Sequence, residues 1–504
     1  MKKKIILPIC ILLVLVLAAG GWYLYTQHQA KLAEDARLAE IAAFYATPDV
    51  KLVVTEEDIS QLDLYTNLQN LDLSGSTCYD AIMRFVQARP DVKVTYTVDL
   101  GGTTVRNDVT TLDLAAGTFD YDVLTTHLPY LPQVTGISLP VTDLSREQIE
   151  ALRTAYPDMA VDYTVSLLGQ ELTEDVEILD VSHMEAAQIP EVAAALTMLP
   201  NAHTLDLLGD TGTNNMSITD VKALMDACIG MKVVYEFDFY GLRLSTATES
   251  VELNRVNIGN EGEETIRQAL DIMPHCTYMK LDDCGIDSEV MASIREDYPD
   301  TKVVWRIFFG KFNCLTDAEM LRLTNGLKDS HVGELIYCND VKYLDVGHNE
   351  PLTDISFIRY MPKLEICILS GSLVEDLSVF ENHQNIEFLE MCFCGAVKDL
   401  SPLKNCPNLK FLNISYTKVR DLKDVYDIPL ERFNCMQNKI PEDQQIKFNE
   451  LHPNCLTRFS GTQCYGYGWR YDDDGITFSE YYANMRVIFM YDDAGYVSGK
   501  EYQR

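Results

Sequence analysis

The stretch from Val341 to Cys435 decides the fold, because one six-residue pattern returns in it five times. Apolar residues fill the first, fourth and sixth positions of each copy, and successive copies begin 23, 22, 23 and 21 residues apart. Such alternation at a nearly constant interval is typical of a repeat array, in which each unit buries its apolar face against the next. The copies are VKYLDV at 341–346, LEICIL at 364–369, IEFLEM at 386–391, LKFLNI at 409–414 and LERFNC at 430–435.

A second motif follows each of the first four copies, in the form LTDISFI, VEDLSVF, VKDLSPL and VRDLKDV. At these residues the segment resembles the leucine-rich repeats of bacterial internalins and related surface proteins. The resemblance implies an α/β fold, a leucine-rich-repeat solenoid with a curved parallel sheet, helices or irregular turns on its convex side, and ligand bound on its concave side. The asparagine of the family's turn occurs at Asn349 and Asn438, whereas Ser372, Cys394 and Thr417 replace it in the other copies.

A longer period precedes this segment. Alternating strands centred on Tyr96, Tyr163, Tyr235 and Trp305 are spaced by 67, 72 and 70 residues, and helical segments lie between them. Each long unit is therefore predicted to be a helix with strands that must stack on its neighbours. Hydroxyl and acceptor pairs at Ser145 with Gln148, and at Thr316 with Glu319, predict two of the helix starts.

The N-terminus predicts a membrane anchor. Residues 5–25 carry no charge and follow Lys2, Lys3 and Lys4, so as a helix they would span about 30 Å of hydrocarbon. The lysines are expected to stay cytoplasmic, which places the chain after Gln27 outside the cell. A cleaved signal peptide is the alternative, since small residues occur at 18–20 near the end of the apolar run.

The composition argues against a nucleic-acid partner, and the sequence contains no motif for catalysis, a metal or a cofactor. A net charge of −35 repels nucleic-acid phosphates, so no nucleic-acid partner is expected. The 14 cysteines are irregularly spaced and are expected to be mostly core residues, with a pair between Cys455 and Cys464 left open. The acidic run 472–474 before Gly475 lacks the ligand spacing of a calcium loop. No catalytic or cofactor motif is present, so neither an enzyme nor a cofactor or metal is expected.

Two positions of each short repeat are predicted to face outward, because side chains alternate along a strand. The third and eighth positions form ladders of apolar and aromatic residues, and an exposed patch of this kind usually marks a partner site. The alternative is that these ladders stabilise the sheet or are covered by the C-terminal tail. The predicted ligand-binding residues are Tyr343, Ile366, Phe388, Phe393, Phe411, Tyr416 and Arg432.

The sequence thus predicts five segments: an anchor at 1–26, a helical stalk at 27–47, long repeats at 48–340, short repeats at 341–452 and a C-terminal cap at 453–504. Trp469, Tyr481, Tyr482 and Phe489 are expected to cover the last apolar face of the array. The predicted function is that of a single-pass, membrane-anchored extracellular protein that binds a protein or a glycan. An architectural scaffold without a ligand is the main alternative, and an extracellular hydrolase is a further one.

Overall fold

The computed structural model describes residues 6–115, 117–140, 144–212, 215–466, 468–472, 474–493, 496 and 498–499. The N-terminal lysines, Ile5 and Asp473 lie outside the described residues. The chain forms two compact units. The first comprises Met1–Asn215 with Leu224–Val233, and the second comprises Met216–Ala223 with Val234–Arg504.

The first unit begins with one continuous helix, α1, which runs 40 residues from Ile6 to Tyr45. Within the described chain it is the one helix long and apolar enough to cross a membrane. Its last residue, Tyr45, packs edge-on against Tyr65, where the repeats begin. The remaining helices are α2 (Tyr79–Ala88), α3 (Tyr121–His127), α4 (Arg146–Ala155) and α5 (Ile189–Leu196). The strands are β1 (Asp49–Lys51), β2 (Asn70–Asp72), β3 (Lys93–Thr95), β4 (Thr97–Asp99), β5 (Thr104–Arg106), β6 (Thr111–Asp113), β7 (Gly136–Pro140), β8 (Ala160–Leu167), β9 (Gln170–Leu172), β10 (Ile178–Asp180) and β11 (Thr204–Asp206).

The chain passes between the units through α6 (Ile218–Ala227) and β12 (Lys232–Val234). The second unit then contains the remaining elements of the long repeats and all of the short repeats. Its helices are α7 (Glu263–Asp271), α8 (Ser288–Asp297), α9 (Glu442–Leu451) and α10 (Glu480–Ile488). Its strands are β13 (Glu236–Phe239), β14 (Leu242–Ser245), β15 (Ser250–Asn254), β16 (Tyr278–Asp282), β17 (Lys302–Phe309), β18 (Phe312–Leu315), β19 (Met320–Arg322), β20 (Tyr343–Asp345), β21 (Ile366–Ile368), β22 (Phe388–Glu390), β23 (Phe411–Asn413), β24 (Arg432–Asn434) and β25 (Leu456–Arg458).

The long repeats contain helices and strands, as predicted. In each complete copy, parallel strands alternate with helices and the last strand turns back in an antiparallel hairpin, for example β15–β16–β17 with β18. The four aromatic residues that mark the long period are buried at equivalent positions of their repeats. The polar side-chain atom of each one donates a hydrogen bond. Tyr96, Tyr163 and Tyr235 donate their hydroxyls to backbone carbonyl oxygens, and the indole of Trp305 donates to Ser288.

One of the two predicted helix starts is wrong. Ser145 and Gln148 form the expected reciprocal cap at the start of α4. Thr316 is instead buried beside a strand, and its hydroxyl accepts a hydrogen bond from the backbone N–H of Trp305 across the hairpin. The hydroxyl therefore serves the sheet, and the chain continues into β19 rather than into a helix.

The short repeats form a seven-stranded, all-parallel sheet in the order β19 to β25. The same repeat position pairs in every step of the register, so that Tyr343, Ile366, Phe388 and Phe411 are successive neighbours across the strands. Leu344, Leu389 and Leu412 point to the opposite side, into the core, and are fully buried. This is the leucine-rich-repeat fold, and it extends one strand beyond the quoted pattern at each end, through Met320 and Leu456.

The second motif of each repeat forms the turn that leaves the sheet. The carboxylate of each aspartate accepts a hydrogen bond from the backbone N–H two residues later, as at Asp399 with Ser401. Short 3₁₀ helices follow at Ser356–Tyr360, Ser378–Phe380, Ser401–Asn405 and Lys423–Val425. These helices are the connections between one strand and the next.

The turn asparagine and its replacements both form hydrogen bonds. The buried Asn349 accepts from the backbone N–H groups of Gly326 and Leu327 and donates to the carbonyl oxygens of Leu323 and Val346. At the replaced positions Ser372 and Cys394 lie 3.4 Å apart, between Oγ and Sγ. Most of the described cysteines are buried, as expected, and their thiols are free.

Candidate binding surface

The side of the seven-stranded sheet opposite the core is called here the outer face. It consists of three side-chain rows, one at each of the third, fifth and seventh repeat positions, because alternate residues of a strand share a face. The third-position row contains the predicted ladder, and the fifth-position row contains two buried carboxylates, Asp345 and Glu390. The predicted outward ladders are at the third and eighth positions, and the fifth position is not among them.

The C-terminal tail lies across the outer face. From here on, the cap means the described residues from 464 to 499, which are part of the segment 453–504 that was predicted as a cap. They pack with the outer face in a single apolar cluster around Ile366, Ile368 and Phe388. Tyr481 stacks on Phe411 with ring centroids 4.2 Å apart and on Phe388 at 5.2 Å. The other cap members of this cluster are Trp469, Phe478, Tyr482, Met485, Ile488, Phe489 and Tyr491.

Polar contacts fix the cap at several points along the sheet. The indole Nε1 of Trp469 donates to Glu390 at 2.5 Å, and the Tyr491 hydroxyl donates to Asp345 at 2.6 Å. The guanidinium of Arg432 donates to the carbonyl oxygen of Gly468. Since these partners are 36 to 146 residues apart in the sequence, the cap is a tertiary element of the repeat unit.

The expectation that the third-position ladder is exposed is wrong for its centre. Ile366 is 5% exposed and Phe388 is 2% exposed, while Tyr343, Phe411 and Arg432 are half-buried. The cap aromatics were expected to cover the end of the array, but they cover the outer face. The array ends in α9 and β25, where Phe448 of α9 packs on Phe433 with ring centroids 4.8 Å apart.

Two of the predicted residues remain accessible beside the cap. Phe393 is 46% exposed and stacks on the half-buried Tyr416 with ring centroids 4.5 Å apart and 17° between the rings. Tyr465 of the cap lies next to them, 5.9 Å from Phe393. Phe393, Tyr416 and Tyr465 are called here the aromatic edge.

The backbone of the aromatic edge is strained. The eighth position of each short repeat is left-handed, with φ of +76° at Gly371, +64° at Phe393 and +61° at Tyr416. Glycine adopts this conformation freely, whereas other residues have a cost of roughly 1–2 kcal/mol each. The chain therefore places two aromatic side chains at a turn that glycine would fill with less strain, and it leaves one of them half-exposed.

Buried titratable groups of the outer face have shifted pKa values. Burial raises the pKa of the Asp345 carboxyl, although the hydrogen bond from Tyr491 opposes this effect. Burial together with the nearby Asp345 charge also raises the pKa of the Tyr491 hydroxyl. At neutral pH this tyrosine therefore stays protonated and donates its hydrogen bond.

The thiol of Cys464 does not lie with Cys455. Cys464 packs with Cys392 and Met436 of the outer face. A hydrogen bond from Cys392 lowers the pKa of the Cys464 thiol, while burial acts in the opposite direction. These contacts join the start of the cap to the strands below it.

No family model matches the chain, and no curated protein matches it in sequence. Solved structures that are similar include an internalin (InlF) from Listeria monocytogenes, at 15% identity over 84% of this chain and 90% of that one, with a TM-score of 0.27. A leucine-rich-repeat protein from Leptospira interrogans is 12% identical over 84% and 98% of the two chains, with a TM-score of 0.26. The functional domain of InlJ from Listeria monocytogenes, which includes a cysteine ladder, is 12% identical over 71% and 55%, with a TM-score of 0.21.

These neighbours are internalins and leucine-rich-repeat proteins, the class that the short repeats resemble. The leucine-rich-repeat fold is established by the register of its own seven-stranded sheet.

Proposed function

We propose that the chain is a membrane-anchored binding protein that contacts a protein partner through its aromatic edge. The observation that carries the proposal is the half-exposed Phe393 at a left-handed backbone position, stacked on Tyr416. Aromatic side chains with a rigid, partly exposed ring are the usual anchors of protein interfaces.

The proposed ligand contacts are accordingly a subset of the predicted ones. Phe393 and Tyr416 contact the partner directly, and Arg432, Tyr343 and Phe411 support the cap that carries Tyr465. Ile366 and Phe388 have too little exposed surface to contact a ligand while the cap is in place.

The proposed location is the outside of a cell membrane. The exposed apolar side chains of α1 between Ile9 and Tyr25 would lie in hydrocarbon, and the polar part of the same helix would hold the repeats away from the lipid. The acidic ectodomain favours solubility and repels anionic lipid headgroups.

A photo-crosslinking residue at position 393 tests the proposed interface, with the same residue at position 360 as the matched control. Tyr360 is an aromatic residue of similar exposure, at 50%, but lies on a 3₁₀ helix away from the sheet. In intact cells of the source organism, position 393 is expected to yield a discrete protein adduct that position 360 does not yield. Purified partner should then lose at least about tenfold in affinity for the Phe393→Ala protein.

Equal adducts at positions 393 and 360, or none at either, contradict the proposed interface. A glycan captured at position 393 in place of a protein contradicts the class of partner. A purely architectural role is favoured by the covered outer face, and it predicts that Phe393→Ala lowers stability without affecting any interaction.

A further inference from the structure

A cavity of about 210 Å³ lies between the outer face and the cap. Arg322, Asp345 and Glu390 form its wall on the sheet side, and Arg470, Tyr482 and Tyr491 form its wall on the cap side. The exposed Asn325 and His348 lie at its rim, and both have left-handed backbones. At about 30 Å³ per molecule in the liquid, the cavity has room for roughly seven waters, and it is smaller than the usual site for a drug-sized ligand.

Arg322 supplies a positive charge to this cavity. Each hydrogen bond from its guanidinium to the described residues ends on a backbone carbonyl oxygen, at Met490, Asp493 and Phe489. Its Nε is buried and has no acceptor among the described residues. The guanidinium also lies over the Tyr491 ring, at 5.1 Å, which fixes its plane.

Arg470 faces the same cavity from the cap. Its Nη2 lies 3.4 Å from Glu390, and its guanidinium stacks on Tyr465 at 4.1 Å. Its Nε is likewise buried without an acceptor among the described residues. Hydrogen bonds from a guanidinium to a carboxylate are charge-assisted and strong, so a ligand with acceptor oxygens that reaches these guanidinium groups would be stabilised here.

The two carboxylates balance the two guanidinium groups. Asp345 accepts from Tyr491 and from the backbone N–H of Gly347, and Glu390 accepts from Trp469, Ser370 and Arg470. Two positive and two negative side chains leave no excess charge for a polyanion such as phosphate. They match a small molecule that carries one charge of each sign, because a charge buried without its counterpart is strongly unfavourable.

We propose that this cavity binds a free α-amino acid. The α-carboxylate would accept from the guanidinium groups of Arg322 and Arg470, and the α-ammonium group would face Asp345 and Glu390. The sheet and the cap form the site together. A bound amino acid would therefore stabilise the arrangement in which the cap lies on the sheet, because the site exists in that arrangement alone. This site adjoins the aromatic edge, because Arg470 of its wall stacks on Tyr465.

Calorimetric titration of the full chain in detergent with each free amino acid tests the proposal. At least one amino acid is expected to bind saturably with a Kd below about 1 mM. Its α-carboxamide, which lacks the negative charge, should bind at least about tenfold more weakly, as the loss of a charge-assisted hydrogen bond predicts. Neutral monosaccharides provide a parallel series of similar size.

Arg322→Lys retains the charge and removes the planar set of guanidinium donors, so it should weaken binding by at least about tenfold. Arg470→Lys gives the same expectation from the other wall and serves where Arg322→Lys lowers the melting temperature. Arg420→Lys is the control, since Arg420 is exposed and does not line the cavity. Absence of heat with every amino acid overturns the proposal, as does saturable binding of a neutral sugar, or amino-acid binding that both lysine variants leave unchanged.

Discussion

At the scale of single residues, two phenylalanines five positions apart have opposite environments. Phe388 is 2% exposed and contacts rings of the cap, with Trp469 at 5.0 Å and Tyr481 at 5.2 Å. Phe393 is 46% exposed at the edge of the same sheet. The two side chains are identical, so their different positions in the repeat explain why Phe388 is packed and Phe393 is accessible.

Truncation should therefore destabilise the protein at one position and spare it at the other. Phe388→Ala is expected to lower the free energy of unfolding by about 3–5 kcal/mol, because it leaves a cavity under the cap. Phe393→Ala should cost about 1 kcal/mol or less, since half of the ring is already in water. Urea unfolding of the full chain in detergent, followed by intrinsic fluorescence, measures both changes. Equal losses would mean that the cap does not cover Phe388.

The sequence was sufficient to predict the repeat register, but it left the covering of the outer face by the C-terminal tail as one of the open alternatives. The alternation of apolar residues identifies which side chains point away from the core, but it does not show which other part of the chain packs on them. A signal was present, because an outward ladder rich in aromatics, with Asp345 and Glu390 in the row beside it, is complementary to a tail rich in tyrosine. Only the fold brings residues as distant as Asp345 and Tyr491 together, because no local pattern records a contact across 146 residues.

At the scale of elements, the turn that leaves each strand depends on an aspartate. The hydrogen bond from the backbone N–H two residues later is the largest cause that lowers the pKa of Asp376, Asp399 and Asp421. A carboxyl whose pKa is lower in the folded chain than the unfolded value of about 3.9 adds stability above that value. This stability is lost as the pH falls through the folded-state pKa.

Replacing these three aspartates by asparagine should flatten the acid limb of the stability curve. Asparagine still offers an acceptor oxygen to the turn, so the fold is retained, but it does not titrate. The melting temperature of the triple variant is expected to fall less between pH 5 and pH 2 than that of the unsubstituted chain. Glutamine at the exposed Glu381, Glu431 and Glu450 is the control for net charge. An unchanged acid limb in the aspartate variant would contradict the role of these turns.

The cap is the second element with a specific expectation. Tyr481→Asp places a charge between Phe388 and Phe411. Burial, and then the nearby carboxylates of Glu387 and Glu365, already raise the pKa of the Tyr481 hydroxyl, so a negative charge at this position is unfavourable. The cap should detach and expose the outer face, which increases the binding of the dye ANS. Tyr481→Phe retains the ring and should bind ANS as the unsubstituted chain does. Equal dye binding by both variants would contradict this packing.

At the scale of the whole molecule, the N-terminal helix α1 has two alternative fates, a retained membrane anchor or a cleaved signal peptide. An anchor is expected to leave the first residues on the mature chain and to resist extraction by alkaline carbonate. Intact-mass measurement of the protein from the membrane fraction distinguishes the two outcomes. A mature chain that begins after Ala18, Ala19 or Gly20 would identify a cleaved signal peptide instead.

The cap and the outer face form one closed structure, and the aromatic edge beside them stays accessible. Hydrogen–deuterium exchange of the full chain in detergent, read by mass spectrometry, tests this arrangement. Peptides from α10 and from β20 to β23 are predicted to exchange slowly and together, with Tyr481→Asp speeding both sets. Fast exchange of α10 beside slowly exchanging strands, in the unsubstituted protein, would contradict the closed outer face.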